Sequence, residues 1–182
     1  MTDKRAILKR KILFKNSTKA LKKQALRIKS RLRLELPYDI VDTILRMRAA
    51  FRKPEIRKQI LNTNWEQINL ADARYSEGFC SVASYIIGHA FRDPTGPSPW
   101  RFRQFKDEKT FGNHIWLEFI PTGERFDITF DQFTDSHGIP MSAPYNSGKR
   151  ANANYKHEKA YKLAEFINPE LAAALRRNTM DM

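Results

Sequence analysis

The sequence predicts an α+β fold in which helices flank a small antiparallel sheet. Residues 4–34 carry apolar side chains at helical spacing, with Lys and Arg at most other positions. A second apolar helical pattern starts just after the only cysteine, Cys80. Three later stretches alternate apolar and polar residues, as half-buried strands do: 100–105, 112–120 and 124–130. Helices before and after a three-stranded meander are typical of the α+β class.

Positive charge is concentrated at the start of the chain. The 182 residues carry a formal net charge of +13, and residues 1–35 contain 13 Lys or Arg against two acids. The remainder is close to neutral, and a hydrophobic content of 41% is enough for a packed core. Charge and Pro-containing breaks predict three regions: a basic helical region at 1–58, a core at 59–150 and a helical tail at 151–182 that packs on the core.

The basic region predicts one or two amphipathic helices, because Asn16-Ser17-Thr18 would interrupt a single helix and cap a second one. Three roles remain open for residues 4–34. The helix packs on the domain, binds nucleic acid non-specifically through phosphates, or lies on an anionic membrane surface. Its expected apolar stripe consists of Leu8, Ile12, Leu21, Ala25, Ile28 and Leu32.

Other segments follow from periodicity and from the positions of proline. Pro37 and Pro54 mark breaks between helices. A Pro-rich loop is expected at 93–99, an irregular segment rimming the site at 134–145, and a flexible link at 146–154. The predicted helices after the basic region are 38–52, 55–61, 80–91, 155–167 and 169–175, and 65–73 is expected to be a short helix or a turn.

Several classes of protein are disfavoured by the sequence. A single cysteine excludes an internal disulfide, so the fold needs no oxidising compartment. No stretch has the length of a signal-peptide core or a membrane span, which predicts a cytoplasmic protein or one delivered without a cleaved leader. No His or Cys pair has structural-zinc spacing. We therefore expect no metal and no cofactor.

Three residues have the chemistry needed for nucleophilic acyl transfer. Cys80 falls in the first turn of its helix, where free N–H groups and the helix dipole favour a thiolate. His114 starts one strand of a hairpin, and Asp127 lies 13 residues later on the next strand. Cross-strand pairing would bring these two together. Cys80 would attack, His114 would move the proton, and Asp127 would orient His114. The alternative is that Cys80 is a small buried apolar side chain.

Rival residues are less well placed for these roles. His137 lies in a Gly–Pro loop, so the strand-borne His114 is preferred as base. Asp131 and Asp135 compete with Asp127 for the orienting role. Further away, His89 is more than two helical turns from the cysteine, and Glu118 is about 13 Å along the strand from His114.

These motifs resemble a known group of enzymes. Gly78-x-Cys80, His114-x-Trp116-x-Glu118 and Asp127-x-Thr129 resemble the transglutaminase-like branch of the papain-like cysteine enzymes. The stretch from Asp127 to Phe133 also resembles that of a group of small bacterial proteins. The similarity covers roughly residues 64–145. It implies a papain-like core with a Cys80–His114–Asp127 triad. The implied activity is cleavage or transfer at an amide or isopeptide bond of a protein or peptide, by a protease, deamidase or transglutaminase of bacterial or phage origin.

One family feature is missing from its usual place. Papain-type enzymes carry a Gln a few residues before the Cys to bind the oxyanion, whereas position 74 here is Arg. The oxyanion donor therefore stays unassigned, with backbone N–H groups able to supply part of that role. A non-catalytic alternative is a protein that binds nucleic acid or an assembly through its basic arm. Candidate oxyanion or site-lining residues are Gln67, Asn64, Trp65, Ser81, Asn113 and Trp116.

Overall fold

The computed structural model describes residues 3–61, 71–107, 112–153 and 157–179. Within these ranges the chain forms six α-helices. The short helix or turn predicted at 65–73 lies largely outside the described residues. The helices are α1 (Lys4–Leu32), α2 (Ile40–Ala50), α3 (Pro54–Ile60), α4 (Cys80–Ala90), α5 (Glu158–Ile167) and α6 (Pro169–Arg177).

The strands form one antiparallel sheet in the order β3-β2-β1-β4, which confirms the α+β class. Strand β1 pairs with β2 so that Phe105 lies opposite His114, and β2 pairs with β3 so that Leu117 lies opposite Phe126. The strands are β1 (Trp100–Asp107), β2 (Gly112–Phe119), β3 (Glu124–Phe126) and β4 (Lys149–Arg150).

Strand β3 is shorter than the predicted strand 124–130, because it ends at Phe126. The next residue, Asp127, accepts hydrogen bonds from the backbone N–H and the hydroxyl of Thr129. This local bonding competes with strand pairing and turns the chain into a 3₁₀ turn at Phe130–Gln132. Asp127 therefore lies just past the end of the hairpin rather than inside its second strand.

The segment predicted as a flexible link at 146–154 is ordered over its described residues, 146–153. It contains a 3₁₀ turn at Tyr145–Ser147 and strand β4, which pairs with β1. The guanidinium of Arg103 on β1 donates to the Gly148 carbonyl at 2.6 Å. The prediction was wrong because the outer side of β1 offers unpaired backbone groups, which even a short polar segment can satisfy.

Helix α1 is continuous, so the break expected at Asn16-Ser17-Thr18 does not occur. The hydroxyls of Ser17 and Thr18 both donate to the Phe14 carbonyl, at 2.9 and 2.7 Å. Such bonds to the preceding turn let Ser and Thr remain inside a helix.

The apolar stripe predicted for α1 is wrong in its first half. Leu8 and Ile12 are 59% and 51% exposed, whereas Arg10 is buried. The Arg10 guanidinium donates to the carbonyls of Asp135 and Ser136, both at 3.0 Å, so a polar side chain holds the inward position. The buried face consists of Ala6, Arg10, Phe14, Ser17, Leu21, Ala25 and Ile28.

One hydrophobic core runs from Phe14 on α1 to Leu175 on α6, so all three predicted regions contribute to it. Phe119 packs in this core, on the side of the sheet that carries α4. Trp116 points to the opposite face, where it packs with Phe105 in a second small cluster. Among the described helices, none is both long enough and apolar enough to span a membrane.

Candidate active site

Cys80 is the first residue of α4 and is half-buried. Gly78, with φ of +82°, makes the left-handed turn that leads the chain into this helix. The N-cap residue is Phe79, which has no side-chain acceptor, and the first turn contains no acid. Cys80 therefore lies at the positive end of the helix dipole, where the first N–H groups have no partner within the helix.

His114 and Asp127 form a buried pair. The Nε2–H group of His114 donates to Oδ2 of Asp127 at 2.7 Å, and His114 is 1% exposed. His114 lies near the start of β2, and Asp127 directly follows β3, the strand that pairs with β2. The hairpin thus places the two side chains at the same end of the sheet, as its spacing led us to expect.

The Asp127 carboxylate accepts hydrogen bonds on both oxygens. Oδ1 accepts from the N–H and hydroxyl of Thr129 at 2.9 and 3.0 Å. Oδ2 accepts from the Tyr145 hydroxyl at 2.6 Å, in addition to His114. Burial alone would raise the pKa of Asp127, but the His114 charge and these hydrogen bonds outweigh it and lower the pKa. Asp127 is therefore held as a carboxylate.

The same surroundings favour protonated His114. Burial lowers the pKa of a histidine, but the charge and hydrogen bond of Asp127 outweigh this effect. A hydrogen bond and a charge interaction with Cys80 raise it further, so the pKa of His114 rises from 6.5 to about 10. Since Nε2 faces Asp127, Nδ1 is the ring nitrogen left to exchange a proton. The geometry therefore suits an imidazolium with a carboxylate behind it.

Gln132 is a site residue that the sequence analysis missed. Its amide Nε2 lies 2.8 Å from Nδ1 of His114 and 3.3 Å from the Thr129 hydroxyl. The amide NH₂ donates to Nδ1 of a neutral ring; after a half-turn, the amide oxygen accepts from Nδ1–H of a charged one. Asp127 and Gln132 therefore hold the imidazole from opposite edges. The signal was present in the stretch Asp-x-Thr-x-x-Gln, which the 3₁₀ turn folds back over His114.

Tyr145 is a second missed residue. Besides bonding to Asp127, its ring lies under the Arg125 guanidinium, whose carbon is 3.7 Å from the ring centroid. Burial and the nearby Asp127 charge both raise the pKa of Tyr145, so its hydroxyl stays protonated and acts as a donor. Tyr145 was not predicted to have this role, because it lies in a segment expected only to rim the site.

Aromatic rings surround the imidazole. The Phe133 ring meets it edge-on with centroids 4.8 Å apart, and the Phe105 centroid lies at 5.4 Å. Trp116, a predicted site-lining residue, stacks nearly parallel to it at 5.9 Å. These rings exclude water from the His114–Asp127 pair, which strengthens its electrostatic interaction.

Two of the other predicted lining residues lie in the described part of the chain. Asn113 is exposed beside His114, and Ser81 is half-buried beside Cys80. Gln67, Asn64 and Trp65 lie outside the described residues, so the upstream oxyanion candidates receive no structural account.

The rival residues have other roles. Asp131 is paired with the buried Arg48 at 2.5 Å, and Asp135 accepts the N–H groups of residues 137 and 139. Glu118 pairs with Arg101 at 2.6 Å, while His137 is exposed. His89 is buried, and desolvation lowers its pKa to about 4 despite its hydrogen bond to the Ala153 carbonyl.

No protein-family model, curated protein or solved structure matches this chain. The site must therefore be interpreted from its own chemistry. A half-buried thiol at a helix N-terminus, a histidine beside it, and a carboxylate held by four donors can generate a nucleophile and return a proton to a leaving group.

Proposed function

We propose that the protein is a cysteine-dependent enzyme that cleaves or transfers acyl groups at an amide or isopeptide bond, on a papain-like core of the transglutaminase-like type. The observation that carries the proposal is one buried imidazole that lies 2.7 Å from Asp127 and whose pKa is raised by that carboxylate and by Cys80. This order of groups is the one that covalent acyl transfer requires.

The reaction proceeds through a thioester. The Cys80 sulfur attacks the carbonyl carbon, and the carbonyl oxygen takes the negative charge. As the C–N bond breaks, the proton on Nδ1 of His114 moves to the departing amine. Water or a second amine then attacks the thioester and gives a proton to His114, and the Cys80 thiolate leaves. Water as acceptor gives hydrolysis, whereas an amine gives transamidation.

Each supporting residue has a defined part in these steps. The backbone N–H groups at the start of α4 are the available donors for the oxyanion. Asp127 stabilises the imidazolium without itself becoming protonated. Gln132 and Tyr145 are positioning residues, because one contacts the ring of His114 and the other contacts Asp127.

Active-site labelling tests the proposal. A glutamine-mimicking peptide with a thiol-reactive group in place of the carboxamide is incubated with the wild type, Cys80→Ala and His114→Ala. We expect stoichiometric labelling at Cys80 in the wild type, none in Cys80→Ala, and labelling about 10² to 10⁴ times slower in His114→Ala. The exposed His137→Ala variant is the matched control and should label at the wild-type rate. Equal rates in the wild type and His114→Ala would contradict a role for His114 as base.

Product analysis then separates the possible acceptors. Glutamine-containing peptides are incubated with and without a primary amine, and masses are measured. Deamidation alone indicates water as acceptor, backbone cleavage indicates a protease, and an amine adduct indicates a transglutaminase. Absence of all three with a broad peptide library, together with thiol reactivity no higher than that of free cysteine, would argue against an enzyme.

A further inference from the structure

A groove lined in part by Tyr75, five residues before Cys80, is not used by the proposed chemistry. It lies between α1 and α2 and has a volume of about 430 Å³. Its floor is apolar and consists of Phe14, Leu45, Ala49 and Tyr75. Cavities of this size with a mostly apolar lining are typical of binding sites.

The rim of the groove is positively charged. Lys11, Lys15 and Lys19 follow one another at four-residue intervals along α1, and all three are exposed. Successive members are therefore about 6 Å apart along the helix axis. Arg52 lies across from them, with its guanidinium carbon 5.5 Å from the Tyr75 ring centroid.

These rim charges are not neutralised within the described part of the chain. None of the four cations forms an ion pair with a described residue, and no described carboxylate lines the groove. Arg48, beneath the floor, differs because it is 1% exposed and is compensated by Asp131. The groove therefore combines an apolar floor with four available positive charges.

We propose that this groove docks an acidic amphipathic helix belonging to the protein substrate. An apolar ridge on such a helix would fill the floor, and Asp or Glu at four-residue intervals would face Lys11, Lys15 and Lys19. Calling the partner a substrate rests on the proposed function; the docking itself does not. Tyr75 is five residues before Cys80, a span of at most about 17 Å of chain, so a docked helix lies close to the thiol.

Two other anionic partners fit the groove less well. A nucleic acid would need open aromatic faces for stacking, but Tyr75 meets the edge of Phe14 at 5.1 Å and has Arg52 beside its ring. A lipid surface would take up exposed apolar side chains, but Leu8 and Ile12, the exposed large apolar residues in the first half of α1, do not line the groove.

Binding is tested in the Cys80→Ala background, so that turnover cannot interfere. The probe is a fluorescein-labelled peptide of about 18 residues with Leu and Ala along one helical face and Glu at every fourth position beside it. A second peptide has every Glu replaced by Gln. We expect saturable binding of the Glu peptide, measured by anisotropy, and at least about tenfold weaker binding of the Gln peptide.

Two triple variants locate the binding surface. Lys11→Ala, Lys15→Ala and Lys19→Ala together should weaken binding of the Glu peptide at least about tenfold. The combination of Lys4→Ala, Lys22→Ala and Lys23→Ala removes the same charge from exposed positions of α1 outside the groove and should change binding less than about twofold. An equal loss in both variants would overturn the proposal, because it would indicate diffuse attraction to a basic surface.

Competing ligands and thiol labelling complete the test. The docking proposal would also be overturned by tighter binding of another anionic ligand. The ligands compared are random-sequence single-stranded DNA and phosphatidylserine vesicles, and the deciding result is an affinity higher than that of the Glu peptide that falls in the groove variant. Active-site labelling is measured in the groove variant as well. The groove variant should keep its labelling at Cys80, because the active site is unchanged. Labelling of the wild type without binding of the Glu peptide to Cys80→Ala would reject the groove alone, whereas peptide binding without labelling of the wild type would reject the proposed chemistry alone.

Discussion

Asp127 is the residue on which the charge state of the site depends. It bonds to His114, Thr129 and Tyr145, and its charge is the main cause that raises the pKa of His114. A raised pKa in the folded state means that protonated His114 stabilises the fold fully below pH 6.5, and that this stabilisation is lost as the pH rises through about 10. The imidazolium should therefore persist throughout the neutral range.

Replacing Asp127 with Asn should reverse the direction of the pKa shift of His114. Without the carboxylate charge, burial is the dominant influence on His114, and its pKa should fall from about 10 to below 6.5. Labelling of Cys80 should slow by about 10² to 10⁴-fold at neutral pH. Histidine ¹⁵N NMR titrations of both proteins measure the midpoints, with exposed His137 as the internal reference. A wild-type midpoint for His114 near 6.5 would contradict the assigned charge state.

Gln132→Ala tests the opposite edge of the ring. The substitution removes the amide 2.8 Å from Nδ1 but leaves the His114–Asp127 hydrogen bond in place. We expect labelling of Cys80 to slow by about 10 to 100-fold, because the ring loses one of its two orienting contacts. Gln132→Asn is the matched comparison, since it keeps an amide but shortens its reach. A positioning role is excluded if the Ala variant labels at the wild-type rate while its unfolding midpoint is unchanged.

At the scale of single residues, the sequence was sufficient to identify the candidate groups whose chemistry is distinctive. A lone Cys before a helical pattern and a His–Asp spacing across a hairpin are local signals, and they led to Cys80, His114 and Asp127. Gln132 and Tyr145 carry no such distinctive chemistry, and Gln132 stood out only as part of the Asp-x-Thr-x-x-Gln stretch. Their contacts depend on two 3₁₀ turns: Phe130–Gln132 is held by the Arg48–Asp131 pair, and Tyr145–Ser147 by packing of Tyr145 on Trp116 and Phe133.

Among the elements, α4 fixes the position of the thiol, and its packing on the sheet depends on Gly88. A Cβ atom at this position would lie 2.3 Å from Cζ and 2.7 Å from Cε2 of Phe102 on β1. Helix α4 and β1 therefore approach more closely than any other side chain at position 88 would allow. This contact sets the distance between the helix that carries Cys80 and the sheet that carries His114.

Gly88→Ala should consequently destabilise the protein despite a favourable change in helix propensity. The propensity gain is about 1 kcal/mol, whereas overpacking against a ring costs typically about 1–3 kcal/mol. We expect a lower free energy of unfolding in urea and slower labelling of Cys80, because α4 must shift. Ala83→Gly on the same helix is a control that loses propensity without overpacking. A Gly88→Ala variant more stable than the wild type would show that Phe102 moves aside at little cost.

The predicted element boundaries were correct where hydrophobic periodicity was strong and wrong where polar contacts determined the structure. Helices α2 and α3 begin and end within two residues of the predicted segments 38–52 and 55–61. The buried face predicted for the first half of α1 was wrong because Arg10 donates hydrogen bonds to loop carbonyls, a contact that hydrophobic periodicity does not reveal. Strand β4 was missed because two polar residues carry no strand signal, and its pairing is dictated by the edge of β1.

At the scale of the whole molecule, Arg48 connects the helices to the site. Its guanidinium donates to the Phe14 carbonyl and the Ser17 hydroxyl on α1, to the Ile128 carbonyl, and to Asp131. Asp131 precedes Gln132 in the same 3₁₀ turn. The buried ion pair therefore fixes the turn that places the amide against His114.

Arg48→Leu should be strongly destabilising. It leaves Asp131, whose side chain is 5% exposed, as an uncompensated buried charge, at a cost of about 3–5 kcal/mol. Arg46→Ala removes the exposed pair with Asp42 and should cost less than about 1 kcal/mol. Chemical denaturation of both variants measures the difference. Equal effects would mean that the buried pair contributes no more than a surface pair.

The burial of α1 has a practical consequence for dissecting this protein. Leu21, Ala25 and Ile28 are each at most 1% exposed and belong to the main core, so the first 35 residues are not a detachable module. Truncating them would expose the α2 surface and unfold the remainder, and a loss of binding or activity in such a deletion would say nothing about basic charge. Function has to be assigned to this helix by substituting its solvent-facing lysines in the intact chain.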